Sequence, residues 1–400
     1  MATIIQEEKN LLKREGGFSI PGMKKVVLFV PGYFGSTLVE RQSKALRWVR
    51  VSDFFSNKWD LAMTESYSDL PQKNDLMEGD LLFKVSVIPK VLEIESYDKT
   101  IKHLQKFCVQ TNRVLHWVTY DWRDDFHACV LKIADKIESL SAEGYSVEVV
   151  AHSMGGYLMS YYLRYGRQDF PTAVENWEGS QHIAKLAIVA SPLRGVFSLF
   201  KHMREGSNVL RNKKLMGSLD YTTFKSTYFF LPHSGHQLAQ VMNGKSRDYF
   251  PMNLMNVDNF KKYSWGPYEP KHLAEVSVNE EKFQSIIERA KKFHQLMEAP
   301  TSVSPQKKIP LLVFRGIGRP TYFYPTFKKN ELCHEYSYHK NQRVDGDGIV
   351  ADFSSVALPW FHEHHLVTKT NNEEHLKILS HYKSQKLIHE FLIESDSLIS

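Results

Sequence analysis

Cysteine is scarce in this 400-residue chain, and long apolar runs are missing from it. The three cysteines lie far apart without metal-ligand spacing, which excludes a disulfide framework and indicates a reducing compartment. No stretch holds the roughly 18 consecutive apolar residues that a transmembrane helix needs. The N-terminal segment MATIIQEEKNLLKREGG carries acidic residues where a signal peptide would be apolar. We therefore expect a cytoplasmic protein that is at most peripheral to membranes.

A strong excess of one charge is missing as well. The chain holds 51 Lys and Arg residues against 45 Asp and Glu residues, a formal net charge of +6, without a long basic run. This balance is too weak for a dedicated nucleic-acid-binding protein, so we predict no nucleic-acid partner. Hydrophobic residues at 42% and charged residues at 24% are ordinary for a folded protein.

Short Val- and Ile-rich runs alternate with helical patterns along the chain. This alternation predicts an α/β fold with a mostly parallel sheet and helices on both faces. The predicted strands span residues 24–30, 114–120, 147–151, 185–190 and 309–314. The predicted helices span residues 126–140, 154–165 and 376–393.

Two segments exceed the connection lengths that are usual inside a compact domain. The first runs from about residue 36 to 112, and the second, 192–308, separates two predicted strands. We interpret the second as a cap or lid inserted into a core of residues 1–191 and 309–400. A peripheral helical subdomain without a catalytic part is the alternative.

The sequence VEVVAHSMGGYLMSYYL places Ser153 between a predicted strand and a predicted helix. A nucleophilic serine there needs a very tight turn, with small residues two positions before and after it. Ala151 and Gly155 meet that need, although the usual motif begins with Gly rather than Ala. The context favours a nucleophile over a merely structural Ser-Gly turn.

A serine nucleophile requires a histidine base and an acid that orients the base. The stretch VDGDGIV follows the last predicted strand and offers Asp347 as the acid, with Asp345 as the alternate. A calcium loop starting at Asp345 is excluded, because Val356 would stand where a carboxylate ligand is required.

The base must be chosen among 18 histidines. We favour His375, which stands where a polar loop meets the predicted final helix. His381 is a poorer candidate because it falls nearly two turns inside that helix. His152 precedes the serine, and its side chain should leave the turn in another direction.

A dense histidine cluster, HEHH at 362–365, raises the alternative of a metal site. The zinc motif H-E-x-x-H needs a histidine at the next position, where Leu366 stands. On a strand, only His362 and His364 would share a face, and two ligands do not make a zinc site. We interpret the cluster as a solvated strand end and predict no metal and no cofactor.

An oxyanion hole, made of two backbone amides, is the remaining requirement. We expect one amide from Met154, directly after the serine. The other should come from the glycine-containing loop after the first predicted strand, where Tyr33 is our choice.

Six motifs now occur in one order: VVLFVPGYFGSTL, YDWR, AHSMGG, ASPLRG, GDGIV and EEH. Together they resemble the lecithin:cholesterol acyltransferase family, which includes lysosomal phospholipase A. The resemblance implies an α/β-hydrolase fold and a triad of Ser153, Asp347 and His375. The secreted members carry a signal peptide and lid disulfides, and this sequence shows neither, so we expect it to fit an intracellular or bacterial lipase-like branch better. Ile349 also stands where Thr is usual in the family.

The same resemblance implies Tyr33 and Met154 as oxyanion donors and places Trp122, from YDWR, near the active-site wall. We add Phe34, beside Tyr33, and Phe197, in the predicted cap, as candidate substrate-binding residues.

The start of the predicted cap combines basic residues with large apolar residues. Residues 192–230 hold seven Lys or Arg residues interleaved with large apolar ones. That mixture suits a lid lying on an anionic lipid surface, while a helical cap packed on the core is the alternative.

We expect a lipid acyl-ester hydrolase or acyltransferase that works through an acyl-enzyme. A small-ester or glycolipid deacylase of the same fold, or an inactive lipid-binding protein, is the alternative.

Overall fold

A seven-stranded sheet occupies the centre of the computed structural model. In chain order its strands are Gly17–Phe18 (β1), Lys25–Val30 (β2), Arg113–Trp117 (β3), Ser146–His152 (β4), Lys185–Val189 (β5), Pro310–Gly316 (β6) and His365–Asn371 (β7). They lie in the order β1-β3-β2-β4-β5-β6-β7, and all neighbours are parallel except β1 and β3. The predicted parallel sheet is therefore confirmed.

The structure describes most of the chain. The described residues are 17–18, 25–49, 61–71, 75–88, 92–95, 97–209, 212–233, 238–243, 246–251, 253–322, 326–328, 336–337 and 343–394. Within these ranges, no helix is both long and apolar enough to cross a membrane.

The inner strands β2, β4, β5 and β6 are buried on both faces of the sheet, which explains their continuous apolar runs. Strand β2 reads KVVLFV, and its last five residues are fully buried. Because side chains alternate along a strand, Val26 and Leu28 belong to one hydrophobic core, while Val27 and Phe29 belong to the other. Each core lies between the sheet and helices.

The described α-helices, numbered along the chain, differ widely in length. They are Asp98–Gln110 (α1), Phe126–Ala142 (α2), Met154–Tyr165 (α3), Glu178–His182 (α4), Phe197–Glu205 (α5), Ser218–Thr223 (α6), Lys225–Phe229 (α7), Val257–Lys262 (α8), Pro270–Leu273 (α9), Glu280–Glu298 (α10), Asp352–Ser355 (α11) and Tyr382–Glu394 (α12).

Two elements near the C-terminus differ from the sequence prediction. Strand β7 was not among the predicted strands of the sheet, although HEHH was interpreted as a strand end, because HLVTKTN has no continuous apolar run; its side chains are mostly exposed. The predicted helix start at residue 376 is wrong, since residues 376–381 form separate turns and α12 begins at Tyr382. Ile378 still packs in the same core as Ile388, so the apolar spacing suggests one helix although the backbone does not form one.

The first long segment contains a three-stranded antiparallel sheet of Ser36–Glu40, Leu46–Trp48 and Leu76–Leu81. A hairpin of Lys84–Ile88 and Leu92–Glu95 follows and leads into α1.

The second long segment, from residue 192 onward, contains α5 to α10 and a hairpin of Ser207–Val209 with Asn212–Met216. Strand Leu238–Asn243 pairs with Ser246–Pro251 and also, in parallel, with Thr326–Lys328. A further short strand, Tyr336–Ser337, completes this second sheet. Pairing thus joins the segment to residues beyond 308, and the division into core and cap stays a prediction.

Candidate active site

Ser153 forms a one-residue turn between β4 and α3. Its φ of 52° and ψ of −120° lie in a region that costs a residue with a Cβ about 1–3 kcal/mol. The Ser153 amide donates to the Val189 carbonyl at 2.8 Å, which anchors the turn to β5. A Cβ at Gly155 would lie 2.5 Å from the Pro31 carbonyl oxygen. The small residue that the motif requires is therefore explained by close backbone approach.

Ser153, His375 and Asp347 form a hydrogen-bonded row. His375 Nε2 lies 3.0 Å from Ser153 Oγ, and His375 Nδ1 lies 2.7 Å from Asp347 Oδ2. All three residues are less than 9% exposed. Because a carboxylate only accepts, Nδ1 carries the ring proton, and Nε2 presents its lone pair to the serine hydroxyl. This arrangement can remove a proton from Ser153.

The loop after Asp347 fixes the carboxylate. Asp347 Oδ1 accepts hydrogen bonds from the amides of Ile349 at 2.9 Å and Val350 at 2.7 Å, which leaves Oδ2 for His375. Asp345, the alternate acid, instead accepts from the Gly318 amide at 2.6 Å. Of the two acidic residues of VDGDGIV, Asp347 therefore bonds to the His375 side chain, whereas Asp345 bonds to the backbone at Gly318.

The other candidate bases lie elsewhere. The structure corrects the position of His381, which precedes α12 and has Nε2 3.4 Å from Glu373. The HEHH stretch does not form one strand, because a 3-10 helix ends at Glu363 and β7 begins at His365. His364 Nδ1 instead accepts from the Ile309 amide at 3.3 Å.

The loop after β2 approaches the serine closely. A Cβ at Gly32 would lie 2.8 Å from Ser153 Cβ, so only glycine fits there. Tyr33 follows in this loop, and Met154 is the first residue of α3. Among the residues that the structure describes, the amides of Tyr33 and Met154 have no hydrogen-bond acceptor. Both are free to bind an oxyanion.

Aromatic rings surround this loop. Trp122 donates its indole N–H to the Ser36 carbonyl at 3.0 Å, and its ring lies 4.6 Å from Phe34 and 5.1 Å from Tyr33. Burial raises the pKa of Tyr33 well above its usual value, so its hydroxyl stays protonated. Phe197 begins α5 and is buried in the same hydrophobic core. Substrate contact by Phe34, Trp122 and Phe197 stays a prediction.

Sequence reasoning did not identify Tyr97 and gave His152 no role. The Tyr97 hydroxyl lies 2.9 Å from His152 Nδ1, and His152 Nε2 lies 3.2 Å from the His375 carbonyl oxygen. Burial, and secondarily the nearby His375 ring, lowers the pKa of His152 to about 3, so this imidazole is neutral. Local sequence carries no signal for Tyr97, because its partner lies 55 residues away.

Fold and site together define an α/β-hydrolase type of protein. The solved structure of the Tle4–Tli4 complex matches with a TM-score of 0.55 at 11% identity, covering 94% of this chain and 99% of that one. The mature lipase BlEst2 of Bacillus licheniformis matches with a TM-score of 0.38 at 9% identity, covering 94% and 97%. A search among curated proteins gives no match.

The family follows from the sequence itself. The model of the lecithin:cholesterol acyltransferase family matches residues 85–382, well over half of the chain. The chain therefore belongs to the lecithin:cholesterol acyltransferase family, which confirms the resemblance seen in its motifs. Membership assigns the chain to enzymes that hydrolyse or transfer lipid acyl esters.

Proposed function

We propose that this enzyme is a serine-dependent lipid acyl-ester hydrolase or acyltransferase that works through an acyl-enzyme on Ser153. The observation that supports it best is the unbroken row from Ser153 Oγ through His375 to Asp347, with distances of 3.0 and 2.7 Å. The strained backbone at Ser153 adds support, because such strain concentrates at functional positions.

The reaction has two halves. Ser153 Oγ attacks the ester carbonyl carbon while His375 Nε2 takes the hydroxyl proton, and the Tyr33 and Met154 amides bind the resulting oxyanion. The C–O bond to the leaving alcohol then breaks, and His375 returns the proton to that alcohol. In the second half, water or a lipid alcohol gives its proton to His375 and attacks the acyl carbon, and His375 returns that proton to Ser153 Oγ as the acyl–oxygen bond breaks. Asp347 orients the imidazole throughout.

We further propose that the enzyme acts in the cytoplasm on a lipid substrate at a membrane surface. Phe34, Trp122 and Phe197 would contact the acyl chain. In the described part of residues 192–230, large apolar residues such as Phe200 and Met203 are buried, as a helical cap packed on the core requires. Arg211 and the side chains of Lys213 and Lys214 lie outside the described residues.

Replacing Ser153 with alanine tests the proposal. Ser153→Ala should abolish hydrolysis of phospholipid vesicles and of short esters, together with labelling by a fluorophosphonate probe. The matched control is Ser160→Ala, on the same helix, whose hydroxyl donates only to the Gly156 carbonyl at 2.7 Å. Adding diacylglycerol or a sterol to the vesicles then separates acyl transfer to an alcohol from hydrolysis.

Retained turnover in Ser153→Ala would contradict the serine mechanism. Activity on short esters with none on vesicles would favour the small-ester deacylase. A wild-type protein that neither turns over nor takes the label would be a lipid-binding protein instead.

A further inference from the structure

Tyr97 and His152 form a buried hydrogen-bond chain behind the candidate triad. The Gly32 amide lies 2.8 Å from the Tyr97 hydroxyl, which lies 2.9 Å from His152 Nδ1. His152 Nε2 continues the chain to the His375 carbonyl oxygen at 3.2 Å. Tyr97 and His152 are only 5% and 4% exposed.

Chemistry fixes the direction of every bond in this chain. The His375 carbonyl can only accept, so His152 carries its proton on Nε2 and accepts on Nδ1. The Tyr97 hydroxyl therefore donates to Nδ1, and its oxygen accepts from the Gly32 N–H. Since His152 has a pKa of about 3, it remains the neutral tautomer that this pattern requires across the pH range of activity assays.

The chain connects two parts of the site that come from distant parts of the sequence. Gly32 immediately precedes Tyr33, whose amide is one proposed oxyanion donor. His375 is the proposed base, and its own amide donates to the Asp347 carbonyl at 3.0 Å. The His152 and His375 rings also lie 5.0 Å apart, so His152 contacts the base directly as well as holding its carbonyl.

We propose that Tyr97 and His152 are positioning residues. They hold the loop that carries Gly32 and Tyr33, and the base His375, in the correct place relative to Ser153. This inference rests on the proposed function. Neither side chain touches the substrate; they act by fixing where the Tyr33 amide and the His375 imidazole lie. Small misplacements of such groups reduce chemistry far more than binding.

Tyr97→Phe is the cleanest test, because it removes only the hydroxyl. We expect kcat on a short ester to fall about 10- to 100-fold with KM unchanged, and the rate of fluorophosphonate labelling to fall in parallel. The matched control is Tyr228→Phe, since that fully buried hydroxyl donates to the Thr222 carbonyl at 2.7 Å and does not contact the triad. Its kcat should stay within about twofold of wild type.

A pair of substitutions at His152 separates positioning from simple packing. The side-chain amide of His152→Gln can still donate to the His375 carbonyl, whereas His152→Leu cannot. We expect the glutamine variant to recover at least part of the activity that the leucine variant loses, with both compared below their melting temperatures. Should the leucine variant fail to fold, Tyr97→Phe still decides.

Two results would overturn the inference. The first is an unchanged kcat in Tyr97→Phe. The second is an equal loss of kcat in His152→Gln and His152→Leu that is explained by their loss of thermal stability alone. Failure of the proposed function would look different, because wild-type Ser153 would then not react with the probe at all.

Discussion

Strand β4 has buried polar groups at both of its ends. The two ends differ in whether those groups have hydrogen-bond or ion-pair partners within the protein. At the amino end, Glu148 accepts from Arg113 at 2.6 and 3.1 Å, and Lys185 Nζ lies 3.5 Å from its carboxylate. Both cations also donate to the Leu392 carbonyl, which ties the end of α12 to the sheet. All three side chains are at most 4% exposed.

At the carboxyl end, the same strand leads into Ser153. Here the backbone is strained, and the amides of Tyr33 and Met154 have no acceptor among the described residues. Folding normally leaves few buried polar groups without a partner. The amino end therefore pairs its buried charges within the protein, whereas the carboxyl end leaves two backbone amides available, as the proposed oxyanion hole requires.

The largest effect is expected from Asp347→Asn. Its oxygen can still accept from the Ile349 and Val350 amides, but its NH₂ group would face His375 Nδ1 and favour the wrong tautomer. We expect kcat to fall about 10⁴-fold, the loss that this change causes in a serine-histidine-aspartate triad. Steady-state kinetics of the folded variant measure it.

The control for that change is Asp345→Asn. Its oxygen keeps the Gly318 bond, so activity should stay close to wild type. Similar losses in the two variants would contradict the assignment of Asp347.

Glu148→Gln tests the other end of the strand. It removes the charge of the carboxylate that faces the buried Arg113 and Lys185 side chains, so the free energy of unfolding should fall by about 3–5 kcal/mol, as measured with urea. Activity of the folded fraction should be unchanged. The exposed pair of Glu390 and Lys386 offers the control, since Glu390→Gln should cost less than about 1 kcal/mol. A Glu148→Gln protein that is stable but inactive would contradict this difference between the two ends of β4.

The smallest expected effect is a change in how the free energy of unfolding depends on pH in the acidic range. Unfolded His152 takes up a proton near pH 6.5, but the folded residue does so only near its pKa of about 3. This contribution to stability is therefore present above pH 6.5 and is lost as the pH falls toward 3. Between pH 6 and 4, the His152→Gln variant should lose stability less steeply than wild type, by up to about 1.4 kcal/mol per pH unit. Equal slopes in urea titrations would contradict a buried, neutral His152.

Local sequence predicted the β4–Ser153–α3 unit well, because a buried strand, a tight turn and a helix all carry short-range signals. Strand β2 and the VDGDGIV loop were predictable for the same reason. The start of α12 was not, because apolar spacing continues through residues 376–381, where turns with isolated hydrogen bonds such as Ile378 N–H to the Glu374 carbonyl precede the helix.

The Tyr97 hydroxyl and the role of His152 were beyond sequence reasoning. Their partners lie between 55 and 223 residues away, so only the folded sheet brings them together. The sequence favoured Asp347 over Asp345 as the acid, and the loop geometry places Asp347 beside His375 while Asp345 accepts from the Gly318 amide.

Trapping the covalent intermediate tests the central proposal most directly. Wild-type enzyme would be mixed with phospholipid vesicles, quenched in acid during turnover and digested for peptide mass spectrometry. We predict an acyl group in ester linkage on the peptide that carries Ser153, at the serine hydroxyl. Rapid turnover with no acylated peptide, or with the acyl group on another residue, would contradict the account.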